Sequence, residues 1–197
     1  MNLQTKITIA APDFSIDYNS KLMMLGSCFA ENMGGKFSYY KFDVDVNPCG
    51  IIYNPLSVAN VLRLIMEGKP FGKDDLRKVG EKWVSLYHHG AFSSTDPEEC
   101  LRRINERLER APRELRSLDL LVITWGTAWV YKHVGENMVV SNCHKIPSQE
   151  FERSRLSVED IVKEYVELIG RLREINPGLR VLFTVSPIRH WKDGAHG

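Results

Sequence analysis

The sequence predicts an α/β protein, a three-layer α/β/α sandwich whose central sheet is mostly parallel. Three short apolar runs, at residues 21–25, 118–125 and 179–185, each end in a small residue or a turn. They are too short for buried helices, and the last two are rich in β-branched residues, which is typical of buried strands. Segments with helical periodicity separate them, and this alternation predicts a parallel sheet covered on both faces.

Start and stop signals delimit three of these helices. Residues 57–66 place their apolar side chains on one face. Asp96 is a suitable N-cap for a second helix, which we expect to end near Ala111. Ser157 caps a third helix, and the Asn-Pro-Gly sequence at 176–178 ends it.

Three further segments add weaker elements. Residues 42–46 alternate apolar and acidic side chains, which predicts a half-exposed strand. Residues 81–92 indicate an inserted strand or loop, and residues 131–143 a hairpin or excursion. Because there is no internal repeat or linker, we expect one domain over residues 1–197.

Composition excludes several classes of function. The 197 residues include 26 Lys and Arg against 25 Asp and Glu, a formal net charge of +1, which argues against nucleic acid or an acidic membrane as partner. No stretch approaches the roughly 18 apolar residues of a membrane span. The four cysteines form no CxxC pair, so we expect a reduced, cytoplasmic protein without a zinc ribbon.

The residues that follow the predicted strands are the candidates for chemistry. In an open parallel sheet, ligands bind beyond the carboxyl ends of the strands. That rule selects residues 26–28, 126–127 and 186–187, with His190 shortly after. We expect the topology to gather these groups at one edge of the sheet.

Ser27 has two interpretations. At a tight turn between a strand and a helix, its hydroxyl would lie at the positive helix end and suit a nucleophile. The plainer alternative is that Ser27 only caps the helix through residues 30–32, since serine is a favoured N-cap. Cys28 is a third possibility, as a thiol nucleophile in nearly the same place.

A hydroxyl nucleophile needs a base, and histidine is the usual one. His190 follows the third strand, with Asp193 near enough in sequence to orient its ring; a plain exposed loop histidine is the alternative. His144 is a second candidate. Of the adjacent pair His88 and His89, at most one can face a site in an extended segment. No HxxxH, HxH or CxxC spacing occurs, so we expect no metal and no cofactor.

Other residues could complete a pocket. Gly50, in a turn-rich stretch, could present a bare backbone N–H to an oxyanion, although a plain loop is the simpler interpretation. Aromatic side chains near strand ends could line the pocket or belong to the core: Trp125, Trp129, Tyr131 and Trp191.

Five ordered motifs resemble one known family. They are Gly-Ser-Cys-Phe-Ala within residues 25–34, Asn-Pro-Cys-Gly-Ile-Ile-Tyr-Asn-Pro at 47–55, Thr-Trp-Gly-Thr-Ala-Trp-Val-Tyr at 124–131, Asn-Cys-His-Lys at 142–145 and Ser-Pro-Ile-Arg-His at 186–190. The sequence is identified as a member of the GSCFA family, which is grouped with the SGNH (GDSL-like) hydrolases. The resemblance covers nearly the whole chain.

The resemblance implies an SGNH or flavodoxin-like fold with about five parallel strands. It makes Ser27 the implied nucleophile and Gly50 an oxyanion donor beside the N–H of Ser27 itself. Gly126 begins the stretch that corresponds to the Gly-x-Asn-Asp block of SGNH enzymes, but the asparagine is missing here. Asn142 is the candidate to replace it, and His144 lies beside it in the chain.

The sequence departs from the SGNH pattern again at its end. Those enzymes carry Asp-x-x-His after the last strand, whereas residues 190–193 have the reverse order. We therefore expect the domain to be incomplete at its C-terminal end, with His190 the best base within this chain.

The resemblance thus predicts an SGNH-like serine hydrolase, an esterase acting on a small-molecule or carbohydrate ester such as an O-acylated sugar. The alternative is a non-catalytic module that binds a carbohydrate or acyl ligand on the same scaffold.

Overall fold

A computed structural model of the chain describes residues 13–187. Short 3₁₀ turns lie at Lys73–Asp75, Gly90–Phe92 and Ser148–Glu150. The strands and helices, in chain order, are β1 (Lys21–Gly26), α1 (Cys28–Tyr39), β2 (Asp43–Val46), α2 (Pro55–Glu67), β3 (Arg77–Val79), β4 (Lys82–Val84), α3 (Pro97–Arg116), β5 (Leu120–Trp125), β6 (Trp129–His133), β7 (Met138–Val139), β8 (Phe151–Arg155), α4 (Val158–Ile175) and β9 (Arg180–Val185).

The central sheet is parallel, with the strand order β2-β1-β5-β9. This confirms the predicted α/β class and the parallel sheet. The weakly predicted strand at residues 42–46 is present as β2. Four strands form this sheet within residues 13–187, against the five or so that the resemblance implies. Gly26 pairs with Thr124, so β1 and β5 end side by side.

Helices cover both faces of the sheet because successive strand residues point in opposite directions. On β1, Met23 and Leu25 belong to a large buried cluster with side chains of α2, α3 and α4. Leu22 and Met24 point the other way and pack near Ala30 of α1. The result is the predicted three-layer arrangement.

Helix α3 is longer than its sequence indicates. We predicted an end near Ala111, because Pro112 lacks an N–H and disfavours a helix interior. That prediction was wrong, since α3 runs through Pro112 to Arg116. Leu115 is buried, as is Ala111, so the last turn contributes apolar side chains to the core that offset the cost of the proline.

Two antiparallel units lie outside the central sheet. Strands β3 and β4 form a hairpin within the first irregular segment. The hairpin predicted within residues 131–143 is confirmed as the β6–β7 pair. Strand β8, which the sequence analysis missed, joins the other side of β6 and makes a three-stranded sheet.

Candidate active site

A cavity of about 1070 Å³ lies beyond the carboxyl ends of the central strands. Its floor consists of Ser27, Gly126 and Ser186, which follow β1, β5 and β9; we call these three residues the cavity floor. The expected gathering of strand ends at one edge is therefore confirmed.

A second surface of the cavity comes from the three-stranded sheet. Trp129 and Tyr131 of β6 and Arg153 of β8 line it, and we call these three residues the side wall. Tyr131 pairs directly with Arg153 across the two strands, so the two side chains lie on the same face. The guanidinium of Arg153 stacks 3.7 Å above the ring centre of Trp129.

Ser27 caps α1 and also lines the cavity. Its Oγ accepts a hydrogen bond from the N–H of Phe29 at 3.3 Å, which confirms the N-cap interpretation. The same Oγ lies 3.0 Å from Oγ1 of Thr124, which is buried in β5. Only 6% of Ser27 is exposed, so its hydroxyl is held in one place at the positive end of the helix.

Cys28 occupies the first position of α1 and is exposed in the same cavity. Tyr53 lines the same cavity, and burial raises the pKa of its hydroxyl. The ring of Tyr53 also covers Gly126, where an added Cβ would lie 3.1 Å from Tyr53 Cδ1 and 3.5 Å from Ser27 Cβ. Because residue 126 has no Cβ, there is room for the ring of Tyr53 beside Gly126 and Ser27.

The backbone N–H groups of Ser27 and Gly50, which were predicted to bind an oxyanion, already have partners, and so does that of Gly126. That of Ser27 donates to both O and Oγ1 of Thr124, at 3.0 and 2.9 Å. That of Gly50 donates to the carbonyl of Asn47 at 2.7 Å, within a tight turn. That of Gly126 donates to the carbonyl of Tyr53 at 2.8 Å.

Gly50 has a structural reason to be glycine. Its φ is +84°, and a Cβ there would lie 2.3 Å from Cβ of His89. Gly50 is not among the residues that line the cavity, whereas Ser27, Gly126 and Asn142 are.

Asn142 lies in the loop that runs from β7 toward β8. Its Oδ1 accepts a hydrogen bond from the N–H of His144 at 2.8 Å, and Asn142 is one of the residues that line the cavity. His144 bonds through Nε2 to the carbonyl of Ser85 at 2.8 Å, and burial lowers its pKa. His144 thus fastens this loop to the protein.

The adjacent histidines His88 and His89 point in different directions, as predicted. His88 is buried with its Nδ1 2.8 Å from Oγ of Ser85, and burial lowers its pKa to about 3. His89 is partly exposed and packs against Gly50. Neither lines the cavity.

The predicted base, His190, lies outside the described residues, as does Asp193. Ser186 and Pro187, the last residues described, line the cavity. Between residues 13 and 187, the cavity lining contains no histidine, aspartate or glutamate.

Sequence reasoning found two members of the side wall and missed the third. Trp129 and Tyr131 were predicted to line a pocket or the core, and they line the cavity. Arg153 lies in a strand of sequence Phe-Glu-Arg-Ser-Arg that has no apolar run, so no strand was predicted there. The available signal was the alternation of arginines at 153 and 155, which pair with Tyr131 and Trp129.

Across residues 13–187, no cluster of three or more His, Cys, Asp or Glu side chains is arranged to hold a metal ion. Within the same range, no helix has both the length and the apolar character to cross a bilayer.

The model of the GSCFA family matches residues 21–197 of the chain. No curated protein and no solved structure matches it.

Proposed function

Because the chain belongs to the GSCFA family, we propose that it is an ester hydrolase of the SGNH type with Ser27 as the nucleophile. The observation that carries the proposal is the position of Ser27 Oγ in the floor of a large cavity, between the N–H of Phe29 and the hydroxyl of Thr124. An acyl ester that enters the cavity would meet this hydroxyl at the positive end of α1.

Hydrogen bonding prepares Ser27 for attack. Thr124 Oγ1 accepts the backbone N–H of Ser27, so its own hydrogen is available to Ser27 Oγ. When Thr124 donates to Ser27 Oγ, as the N–H of Phe29 does, the hydrogen of Ser27 is directed to a third group. In the proposed reaction this group is a base, for which His190 is the candidate within this chain.

The reaction then follows the usual course of acyl transfer. Ser27 Oγ forms a bond to the acyl carbon while the base takes its proton. The tetrahedral intermediate expels the alcohol, which receives that proton from the base. Water, activated by the same base, then hydrolyses the acyl-enzyme and releases the carboxylic acid and free Ser27.

The oxyanion requires donors other than those first predicted, because Ser27, Gly50 and Gly126 already donate within the protein. The N-terminal N–H groups of a helix have no intrahelical acceptor. In α1 the side chain of Ser27 accepts the N–H of Phe29, and of the two that follow the same rule, Cys28 and Ala30, only Cys28 lines the cavity. The side-chain amide of Asn142 is the second candidate. Each donor in such a hole is typically worth about 3 kcal/mol of transition-state stabilisation.

The direct test compares hydrolysis of short acyl esters by the intact protein and by Ser27→Gly. Glycine is tolerated at an N-cap at a cost of only a few tenths of a kcal/mol, so this variant removes the hydroxyl with little loss of helix stability. Cys28→Ala is the matched control next to it. We expect Ser27→Gly to be inactive and Cys28→Ala to retain activity.

The reverse result would assign the reaction to the thiol of Cys28, which is the more exposed of the two nucleophiles. Equal rates in the intact protein and Ser27→Gly would refute Ser27 as nucleophile.

A second candidate function is ligand binding without turnover. Two observations favour it: the predicted oxyanion donors are engaged, and the described cavity lining offers no base. Saturable binding of an acylated sugar, with no hydrolysis by the intact protein, would support this candidate over the enzyme.

A further inference from the structure

Helix α4 presents apolar side chains to solvent beside β9, the last strand of the central sheet within residues 13–187. Val158, Val162 and Val166 follow one another at intervals of four residues, and they are 71%, 55% and 70% exposed. Together with Val185 of β9 they line a groove of about 680 Å³. Valine is a residue that proteins usually bury, and a contiguous apolar surface on a helix that is otherwise charged indicates an interaction site.

The helix face centred on Val166 has a symmetrical arrangement of side chains. Val162 precedes Val166 by four residues, and Gly170 follows it by four. Glu159 precedes Val166 by seven residues, and Arg173 follows it by seven. Because seven residues complete almost two helical turns, the glutamate and the arginine lie on the same face as Val166, about 10 Å from it on either side. The face is therefore matched, position by position, by a copy of itself that runs in the opposite direction.

The two charges on this face are complementary in such an antiparallel pair. With Val166 of one copy against Val166 of the other, each Glu159 faces Arg173 of the other copy. Both side chains are exposed, and among the residues that the structure describes neither forms an ion pair within its own chain. A second copy would thus supply an opposite charge to each of them.

The size of residue 170 fits the same arrangement. Gly170 is exposed in the interior of α4, and within residues 13–187 no atom lies within 4 Å of an added Cβ. Glycine in a helix interior is less favourable than alanine, so this residue weakens the helix without a contact in its own chain that requires it. In the antiparallel pair Gly170 faces Val162 of the other copy, and its small size lets the two helices approach closely.

We infer that α4 is the interface of a homodimer, in which α4 of a second copy of this chain packs antiparallel against it about a two-fold axis at Val166. The charges favour this occupant, because a copy of α4 in the opposite direction pairs both ends of the face at once. A single helix pair buries less than the roughly 800 Å² per partner of a standard interface, so we expect a reversible dimer. The inference does not depend on the proposed ester hydrolysis.

Sedimentation velocity of the intact protein, from low to high micromolar concentration, tests the association. The parent should shift from monomer toward dimer, and Val166→Glu should remain a monomer because it places two carboxylates face to face on the axis. Glutamate is a better helix former than valine, so loss of α4 would not explain this result. The matched control is Val134→Glu, since Val134 is 54% exposed and lies between β6 and β7; this variant should dimerise like the parent.

Charge reversal tests whether the partner is a second copy. Glu159→Arg and Arg173→Glu should each raise the dissociation constant of their own dimer about tenfold or more, because each replaces two attractive pairs with two repulsive ones. Circular dichroism of both variants checks that their helices are intact. An equimolar mixture of the two variants restores opposite charges at both contacts, so the mixture should dimerise about as tightly as the parent.

The mixture distinguishes the interface from a damaged helix, because mixing changes the partner of each variant and leaves its own fold as it was. Recovery of the dimer in the mixture would support the inference. A parent that stays monomeric at every concentration, a dimer that survives Val166→Glu, or a mixture that associates no better than either variant alone would overturn it.

Discussion

The cavity floor and the side wall face the same space but are held in place in different ways. The floor follows strands of the central sheet, and the residues that support it, such as Thr124 and Ile123, are buried. The side wall belongs to a small antiparallel sheet in which Arg153 is exposed. Changes at the floor should therefore alter stability together with chemistry, whereas changes at the side wall should alter ligand binding alone.

The largest expected effect is that of Gly26→Ala, directly before the floor. Gly26 has a φ of +128°, and an added Cβ would lie 2.0 Å from the backbone oxygen of Thr124. Because backbone cannot move aside cheaply, we expect a loss of more than about 4 kcal/mol in the free energy of unfolding. Gly35→Ala in α1 is the control, since nothing lies within 4 Å of its added Cβ. In urea denaturation, Gly35→Ala should be as stable as the parent or slightly more stable. Equal stability of Gly26→Ala and Gly35→Ala would contradict the expected clash at position 26.

The next effect tests burial within the central sheet, with the same substitution on neighbouring strands. Leu121 of β5 is fully buried, whereas Leu182 of β9, the last strand of the sheet within residues 13–187, is 45% exposed. Leu121→Ala should lower the free energy of unfolding by about 3 kcal/mol through lost burial and the cavity left behind. Leu182→Ala should cost about 1 kcal/mol or less. Similar losses in urea titrations would show that β9 is covered in solution.

The substitution Thr124→Val then tests whether a residue that supports the floor affects both the free energy of unfolding and ester hydrolysis. The change removes the hydroxyl that accepts the N–H of Ser27 and lies beside its Oγ. The N–H of Ser27 keeps the carbonyl of Thr124 as acceptor, so we expect a loss of about 1 kcal/mol in unfolding free energy. Ester hydrolysis should fall as well, and Thr124→Ser should restore it. Full activity in Thr124→Val would show that this hydroxyl does not prepare Ser27.

The smallest effect concerns pH and the loop beside the side wall. His88 bonds to Ser85, whose carbonyl bonds to His144, so this cluster anchors the loop that carries Asn142. Burial lowers the pKa of His88 from 6.5 to about 3. Between pH 6.5 and about 3 the unfolded chain binds more protons than the folded one. The contribution of His88 to the free energy of unfolding is therefore fully present above pH 6.5 and is lost as the pH falls toward 3.

From pH 7 to pH 6 the expected loss in the free energy of unfolding is on the order of 0.5–1 kcal/mol. His88→Gln should reduce this dependence, measured by urea titration at each pH, and leave the part that comes from His144, whose pKa burial also lowers. An unchanged slope in His88→Gln would mean that another group is responsible.

The same contrast explains what could be predicted from the sequence. Strand β5 was found because a buried strand needs a continuous apolar run, and its end then located the floor. Strand β8 was missed because its side chains are mostly exposed and its place depends on pairing with β6, which is a tertiary property. Composition alone could not show that Arg153 lies over Trp129.

The backbone donors show a second limit. The sequence identified Gly50 as a position with a bare N–H, but which acceptor an N–H meets depends on the turn around it. In the fold that acceptor is the carbonyl of Asn47. Hydrogen-bond partners of this kind are set by distances between segments, which spacing along the chain does not encode.

That Ser27 caps α1 bears on how sequences of the GSCFA family are to be compared. A helix start selects serine, threonine, aspartate or asparagine about equally well, so a serine retained there for stability would look the same as one retained for catalysis. The informative members are those that replace it. Aspartate or asparagine at this position would keep the cap and remove the proposed nucleophile, and a lineage that made this exchange would have kept the scaffold without the proposed reaction.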